Sequence, residues 1–154
     1  MTLEEYRRFI AGIDSRKHRL MFELIYELGC RVGEFVRIRL KDIDFSRGMV
    51  YFPAENTKTK QPRWSVFPAR LSSEIRAYLK DQSRMGKRDD RIKHPEGFLF
   101  HYGQTDHFPY SENRVRQIFR KYAIRAGLDR EYGQDSQGRK LHQLTVQSLR
   151  HYAE

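Results

Sequence analysis

Apolar residues at Leu20, Phe22, Leu24, Ile25 and Leu28 make a broad face at helical spacing, which predicts a helix over 15–28 capped by Asp14 or Ser15. Ahead of it, Thr2-Leu3-Glu4-Glu5 has the form of a capping box and opens a short helix ending near Gly12. Val32, Phe35, Val36 and Leu40 predict a third helix over 32–40, with Arg37 and Arg39 pointing outward. Ile75, Tyr78 and Leu79 predict another from Ser72 or Ser73 to about Met85. The last runs from its cap Ser111 to about Ala126 and is stopped by Gly127. Its inner face is predicted to be Val115, Ile118, Phe119, Tyr122, Ala123 and Ile124.

Between the helices the period changes. Residues 42–48 read as strand, turn and return, with Gly48 supplying the turn dihedral. Met49–Phe52 and Trp64–Pro68 are strands, and Phe98–Phe100 is a short buried extended run. Residues 86–91 form an exposed mixed-charge connector, and 128–141 the most loop-like stretch. The pattern describes one domain, too short for two ordinary ones.

Charge narrows the partners. The 154 residues carry a formal charge of +10, with Lys and Arg spread along the whole chain. A broad basic face of that kind suits a polyanion. Aromatic content of 13% gives the chain enough apolar surface to fold. A single cysteine excludes an intramolecular disulfide framework and a cysteine-rich zinc site. His101 and His107 have no carboxylate or thiol at ligand spacing, so no metal site is expected. With no long apolar run and no secretory-type leader, no membrane association is expected and a cytoplasmic location is.

Two stretches carry the chemistry. In Leu28-Gly29-Cys30-Arg31-Val32-Gly33-Glu34, one helix stops at Gly29 and the next begins near Val32, leaving Arg31 at the bend. Glu34, three residues on, can hold the Arg in position. In Leu144-Thr145-Val146-Gln147-Ser148-Leu149-Arg150-His151, a second Arg lies early in a helix started by Thr145. A guanidinium is a rigid fork of donors matched to phosphate oxygens, and two such forks suggest an anion site.

These segments, with Leu40-Lys41-Asp42-Ile43-Asp44 after the first, resemble the two active-site boxes of the tyrosine recombinase (phage integrase) family, and the resemblance covers nearly the whole chain. It implies an α+β fold, mostly α-helical, with a small antiparallel sheet of about three strands on one side. It implies double-stranded DNA as partner, self-association on DNA in the full-length protein, and no cofactor. By residue, it implies that Arg31 and Arg150 stabilise the scissile phosphate and that Glu34 orients Arg31. The hairpin lysine, Lys58 first and Lys60 as its competitor, would act as general acid to the leaving oxygen. Lys60, Arg63, Arg114, Arg116, Arg120 and Lys121 are then candidates for DNA contact.

The chain departs from the family pattern in two ways. Gln147 stands where the second box usually has His, and an amide can donate to a phosphate oxygen but cannot carry a proton at neutral pH. His142 comes too early for that role, and His151 follows the Arg. The family's nucleophilic tyrosine lies downstream of its second Arg. Tyr152 has instead the position of a packing residue. The resemblance therefore describes residues 1–154 as a catalytic domain lacking both the family's N-terminal DNA-clamping domain and its C-terminal tyrosine segment. Such a chain alone is expected to bind DNA weakly without completing cleavage. The alternative is a non-catalytic DNA-binding module on the same scaffold. A generic basic RNA-binding protein is a third reading, but the sequence has no RNA-module signature.

Overall fold

In the computed structural model, the described residues are 1–82, 94–102, 107–142 and 144–150. The expected connector at 86–91, the expected end of a helix at Met85, and His151 and Tyr152 lie outside them.

Helix α1 (Leu3–Ala11) starts where the capping box places it. Thr2 Oγ1 accepts from the Glu5 amide at 3.1 Å, and the Glu5 carboxylate accepts from the Thr2 amide at 2.9 Å. Helix α2 (Arg16–Leu28) is capped by Ser15 and ends at Gly29, whose φ of 61° is the left-handed turn-out that glycine adopts without strain. Helix α5 (Glu112–Arg125) begins at Ser111, as its sequence predicts. Phe9 of α1, Phe22 of α2, and Phe119 and Tyr122 of α5 form one aromatic cluster. The Phe9 ring lies 4.9 Å from Phe119 and 5.3 Å from Phe22. Burying side chains of this size supplies about 2 kcal/mol or more each, and the cluster fixes α2 against α5.

Strands β1 (Ile43–Asp44), β2 (Met49–Phe52) and β3 (Arg63–Val66) form an antiparallel sheet in that order, the small three-stranded sheet expected. Val50 and Phe52 are buried, and Ser65 Oγ donates to the Leu28 carbonyl at 2.7 Å, so the sheet is tied to the end of α2. The turn between β1 and β2 depends on Gly48, with a φ of 64°. A Cβ there would lie 2.7 Å from the Phe67 carbonyl oxygen. Gly48→Ala is therefore expected to cost about 2 kcal/mol or more. Gly127 has a similar φ of 71° in open space, so Gly127→Ala should cost only about 1 kcal/mol. Urea denaturation of both variants checks the contrast.

Several elements differ from expectation, each for a local reason. Helix α3 is only Val32–Val36, and a 3₁₀ turn, Leu40–Asp42, follows it. Extended residues outcompete helix continuation: the Leu40 amide donates to the Gly97 carbonyl, Lys41 to Pro95, and Leu99 to Ile38. Helix α4 (Ala69–Gln82) starts directly after Pro68, earlier than either serine. Ser72 Oγ instead donates to the Phe45 carbonyl at 3.3 Å. Ile124, expected in the core, is 58% exposed. The presumed loop at 128–141 contains a hairpin, β4 (Glu131–Gln134) with β5 (Lys140–His142). Asp135 closes its turn by accepting from the Gln137 and Arg139 amides, each at 2.9 Å. The second box is a 3₁₀ turn, Val146–Leu149, rather than an α-helix. Arg150 leaves it at φ −59°, ψ 123°. Leu144, Val146 and Leu149 are buried and lock this turn onto the core.

Candidate functional site

The site is assembled around the α2–α3 bend. Arg31 has extended backbone there (φ −76°, ψ 153°), and its amide donates to Glu34 Oε1 at 2.8 Å. Among the described residues its guanidinium makes no ion pair. Glu34 is 5% exposed and acts differently from the sequence expectation of a partner on one helical face. It fixes the Arg31 backbone, and the same oxygen accepts from the Arg63 guanidinium at 2.7 Å. Arg63 also lies over the Phe52 ring, 4.5 Å from its centroid. One buried carboxylate thus joins the bend to the hairpin strand.

Arg150 arrives from the other end of the chain. Its Nε donates to the Gly29 carbonyl at 2.9 Å, spanning 121 positions in sequence. That carbonyl belongs to the residue ending α2, two positions before Arg31. Gln147 is half-buried three residues ahead of Arg150. Cys30, between Gly29 and Arg31, is fully buried. Burial first, and then the Glu34 carboxylate, push its thiol up to about 12, while Arg63 and Arg150 pull the other way. The thiol therefore stays protonated and unreactive. Glu34 with Arg63, and Arg150 with Gly29, thus both attach to the 29–34 segment.

The β2–β3 loop holds the candidate lysines. Thr57 is buried, and its hydroxyl lies 3.1 Å from the Ala54 carbonyl and 2.9 Å from that of Gln61. Lys58 and Lys60 are exposed, and neither is ion-paired among the described residues. Lys60 has a φ of 60°, uncommon for a side chain with a Cβ. Lys58 does not carry that conformation.

A model of the phage integrase family matches residues 1–154. The chain belongs to that family. Among family members it is similar to the tyrosine recombinase XerA of Thermococcus kodakarensis, 28% identical over 142 residues that make up 84% of this chain and 50% of the relative. It is also similar to XerC of Lacticaseibacillus casei, 26% identical over 129 residues, 82% of this chain and 42% of the relative. Its fold matches the crystal structure of XerA recombinase with a TM-score of 0.69 and 15% identity, over 97% of this chain and 47% of the other. The pre-cleavage complex of XerH with its difH substrate gives a TM-score of 0.68 and 18% identity, over 98% of this chain and 40% of the other. The chain spans about half the length, or less, of these relatives.

Within this phage integrase chain, the remaining basic candidates fall into two groups. Arg63 is held by Glu34, Arg116 by Glu112 at 3.3 Å, and Arg120 by Asp129 at 2.5 Å. Lys60, Arg114 and Lys121 have no ion pair among the described residues. Arg114 lies two residues beyond Glu112, whose carboxylate sits beside Gly33 of α3, and Lys121 lies about two turns farther along α5. The charges of both help lower the pKa of His18, at the start of α2. Thirteen residues of helix separate that end from Leu28, a distance of about 20 Å.

Sequence reading missed three features here: the Thr57 clamp, the double use of Glu34, and a pair formed by His18 and Tyr122. Only the first had a signal, a Thr in a polar turn. His18 Nδ1 lies 2.8 Å from the Tyr122 hydroxyl. Burial first, and then the cations of Lys17, Lys121 and Arg114, lower its pKa from the ordinary 6.5 to about 4. The folded state thus binds a proton less readily than the unfolded state. Stability should be flat above pH 6.5 and fall as pH drops from there to about 4. His18→Gln should remove most of that slope, as thermal melts across the range would show.

Among the described residues, no group of His, Cys, Asp or Glu is arranged to hold a metal ion, and no helix is long and apolar enough to cross a membrane.

Proposed function

We propose that this chain is the phosphate-activating core of a site-specific DNA recombinase or integrase. It binds duplex DNA in the cytoplasm and prepares one phosphodiester for attack by a tyrosine. The observation that carries the reading is the bond from Arg150 to the Gly29 carbonyl, which brings the second arginine to the bend of the first. The two guanidiniums would stabilise charge on the non-bridging oxygens as the attacking oxygen adds, with Gln147 as a further donor. Lys58 would deliver a proton to the departing 5′ oxygen. Side chains supply all the cations this scheme needs. Glu34 positions the Arg31 backbone and holds the hairpin through Arg63. Lys60, Arg114 and Lys121 would meet DNA elsewhere along its backbone. Copies would associate on DNA in the full-length protein.

A second reading, a DNA-binding module without catalysis, is favoured by one residue, Gln147, because an amide cannot relay a proton. Covalent protein–DNA adducts on a nicked substrate, formed by a protein that carries both these residues and the tyrosine, decide for the enzyme. Their absence decides for the module. Both readings predict that the 154-residue chain binds duplex DNA with affinity that falls steeply with salt. Neutralising about four phosphates gives a log–log slope near −4. Fluorescence anisotropy between low and physiological salt measures it, and a slope near zero removes DNA from either reading.

A further inference from the structure

The three-stranded sheet has a second face that the site does not use. Side chains alternate along a strand, so residues pointing away from Val50 and Phe52 share the outer side. The register sets Met49 opposite Val66 and Tyr51 opposite Trp64. The Tyr51 and Trp64 rings pack with centroids 5.0 Å apart at 48°. Trp64 is 54% exposed and Val66 62% exposed. Trp64 and Val66, two positions apart on β3, lie open together on this face, and contiguous exposed apolar surface marks a contact site.

Charge selects the occupant. Asp44 is the one acid on this face in the paired strands, and it is engaged by Ser46 Oγ at 2.8 Å, the Arg47 amide at 3.0 Å and the Arg47 guanidinium at 3.8 Å. The same hairpin ends in Lys58 and Lys60, both exposed and without ion pairs among the described residues. A second copy of a chain with a formal charge of +10 would be repelled from such a surface. A strand of nucleic acid would be attracted. A duplex keeps its base faces stacked on one another, whereas an unpaired base has an open π-face to place on an indole.

We propose that Tyr51 and Trp64 form a stacking platform for unpaired bases of single-stranded DNA, with Lys58 and Lys60 holding the adjoining backbone. This rests on the DNA reading above, which it extends from duplex to melted strand. The site would hold bases displaced from the duplex beside the phosphate under attack.

Trp64 is the single tryptophan of the chain, so intrinsic emission reports on this face alone. The 154-residue protein is titrated with an unlabelled thymidine dodecamer followed by Trp64 emission, and each variant is titrated with a labelled dodecamer and a labelled duplex, both followed by anisotropy. The single strand is expected to quench Trp64 emission saturably. Tyr51→Ala, and independently Trp64→Leu, should weaken single-strand binding about tenfold, as expected for loss of one stacked base. Duplex affinity should stay within about twofold in both variants, a difference small against the tenfold effect of stacking. Trp64→Phe retains a ring and should recover most of the loss, which separates stacking from a folding defect. Unchanged emission at saturating single strand, with duplex binding intact, overturns the platform and leaves the recombinase reading standing. Failure to bind either nucleic acid overturns both. Concentration-dependent dimers in sedimentation that Trp64→Leu abolishes would make the face a self-association surface instead and overturn the proposal.

Discussion

Replacing Arg150 with alanine is expected to lower the rate of strand cleavage by about 10²- to 10³-fold in a recombinase that carries these residues and the attacking tyrosine. Charge developing on the phosphate would lose a preorganised donor. Arg150→Lys should recover little, since an ammonium keeps the charge but not the planar fork. Stability should change far less. The bond from Nε to the Gly29 carbonyl at 2.9 Å is itself worth about 1 kcal/mol. Single-turnover cleavage measured beside a thermal melt separates the two effects. A variant that unfolds in proportion to its lost activity would make Arg150 a structural residue.

Glu34 has the opposite profile. It is 5% exposed and accepts from both the Arg31 amide and the Arg63 guanidinium. Glu34→Ala leaves a half-buried amide and a half-buried cation without their acceptor, which should cost about 3 kcal/mol. Glu34→Gln retains an oxygen for the Arg31 amide and should cost less than half of that. Adding Arg63→Met to Glu34→Ala removes the stranded charge and should restore part of the loss, because breaking one side of a buried pair is worse than replacing both. Denaturant titration of these proteins, with wild type and Arg63→Met alone, reads the coupling directly. If the cost of Glu34→Ala is no larger than that of an ordinary surface substitution, the carboxylate does not join the bend to the hairpin.

The two effects separate what the sequence made legible from what it concealed. The bend at Arg31 was readable because Gly29 stops one apolar helix and Val32 starts another within a few residues, and such signals are local. The caps at Thr2, Ser15 and Ser111 were readable for the same reason. The use of Glu34 was not. Spacing places Glu34 on one face with Arg31, but its guanidinium partner is Arg63, 29 positions away on another element. Helix α3 was overestimated because the residues that take its backbone donors, Pro95 and Gly97, lie far along the chain. The β4–β5 hairpin was missed because its strands are polar and lack the alternation that marks a half-buried strand. Ile124 was misplaced by its apolar character, since nine residues at about 100° each set it opposite the buried Val115 on the helix. The candidate cations divided in the same way. Sequence supplied Arg63, Arg114, Arg116, Arg120 and Lys121 as equals, and tertiary contacts pair Arg63, Arg116 and Arg120 with carboxylates.

The most direct measurement is a crystal structure of the chain bound to a short duplex. Arg31, Arg150 and Lys58 should then reach oxygens of one and the same phosphate at about 3 Å, with Arg150 still anchored to Gly29. If the three side chains meet different phosphates, or if Lys58 stays in solvent while the arginines bind, they do not form a single centre, and the proposed chemistry fails with it.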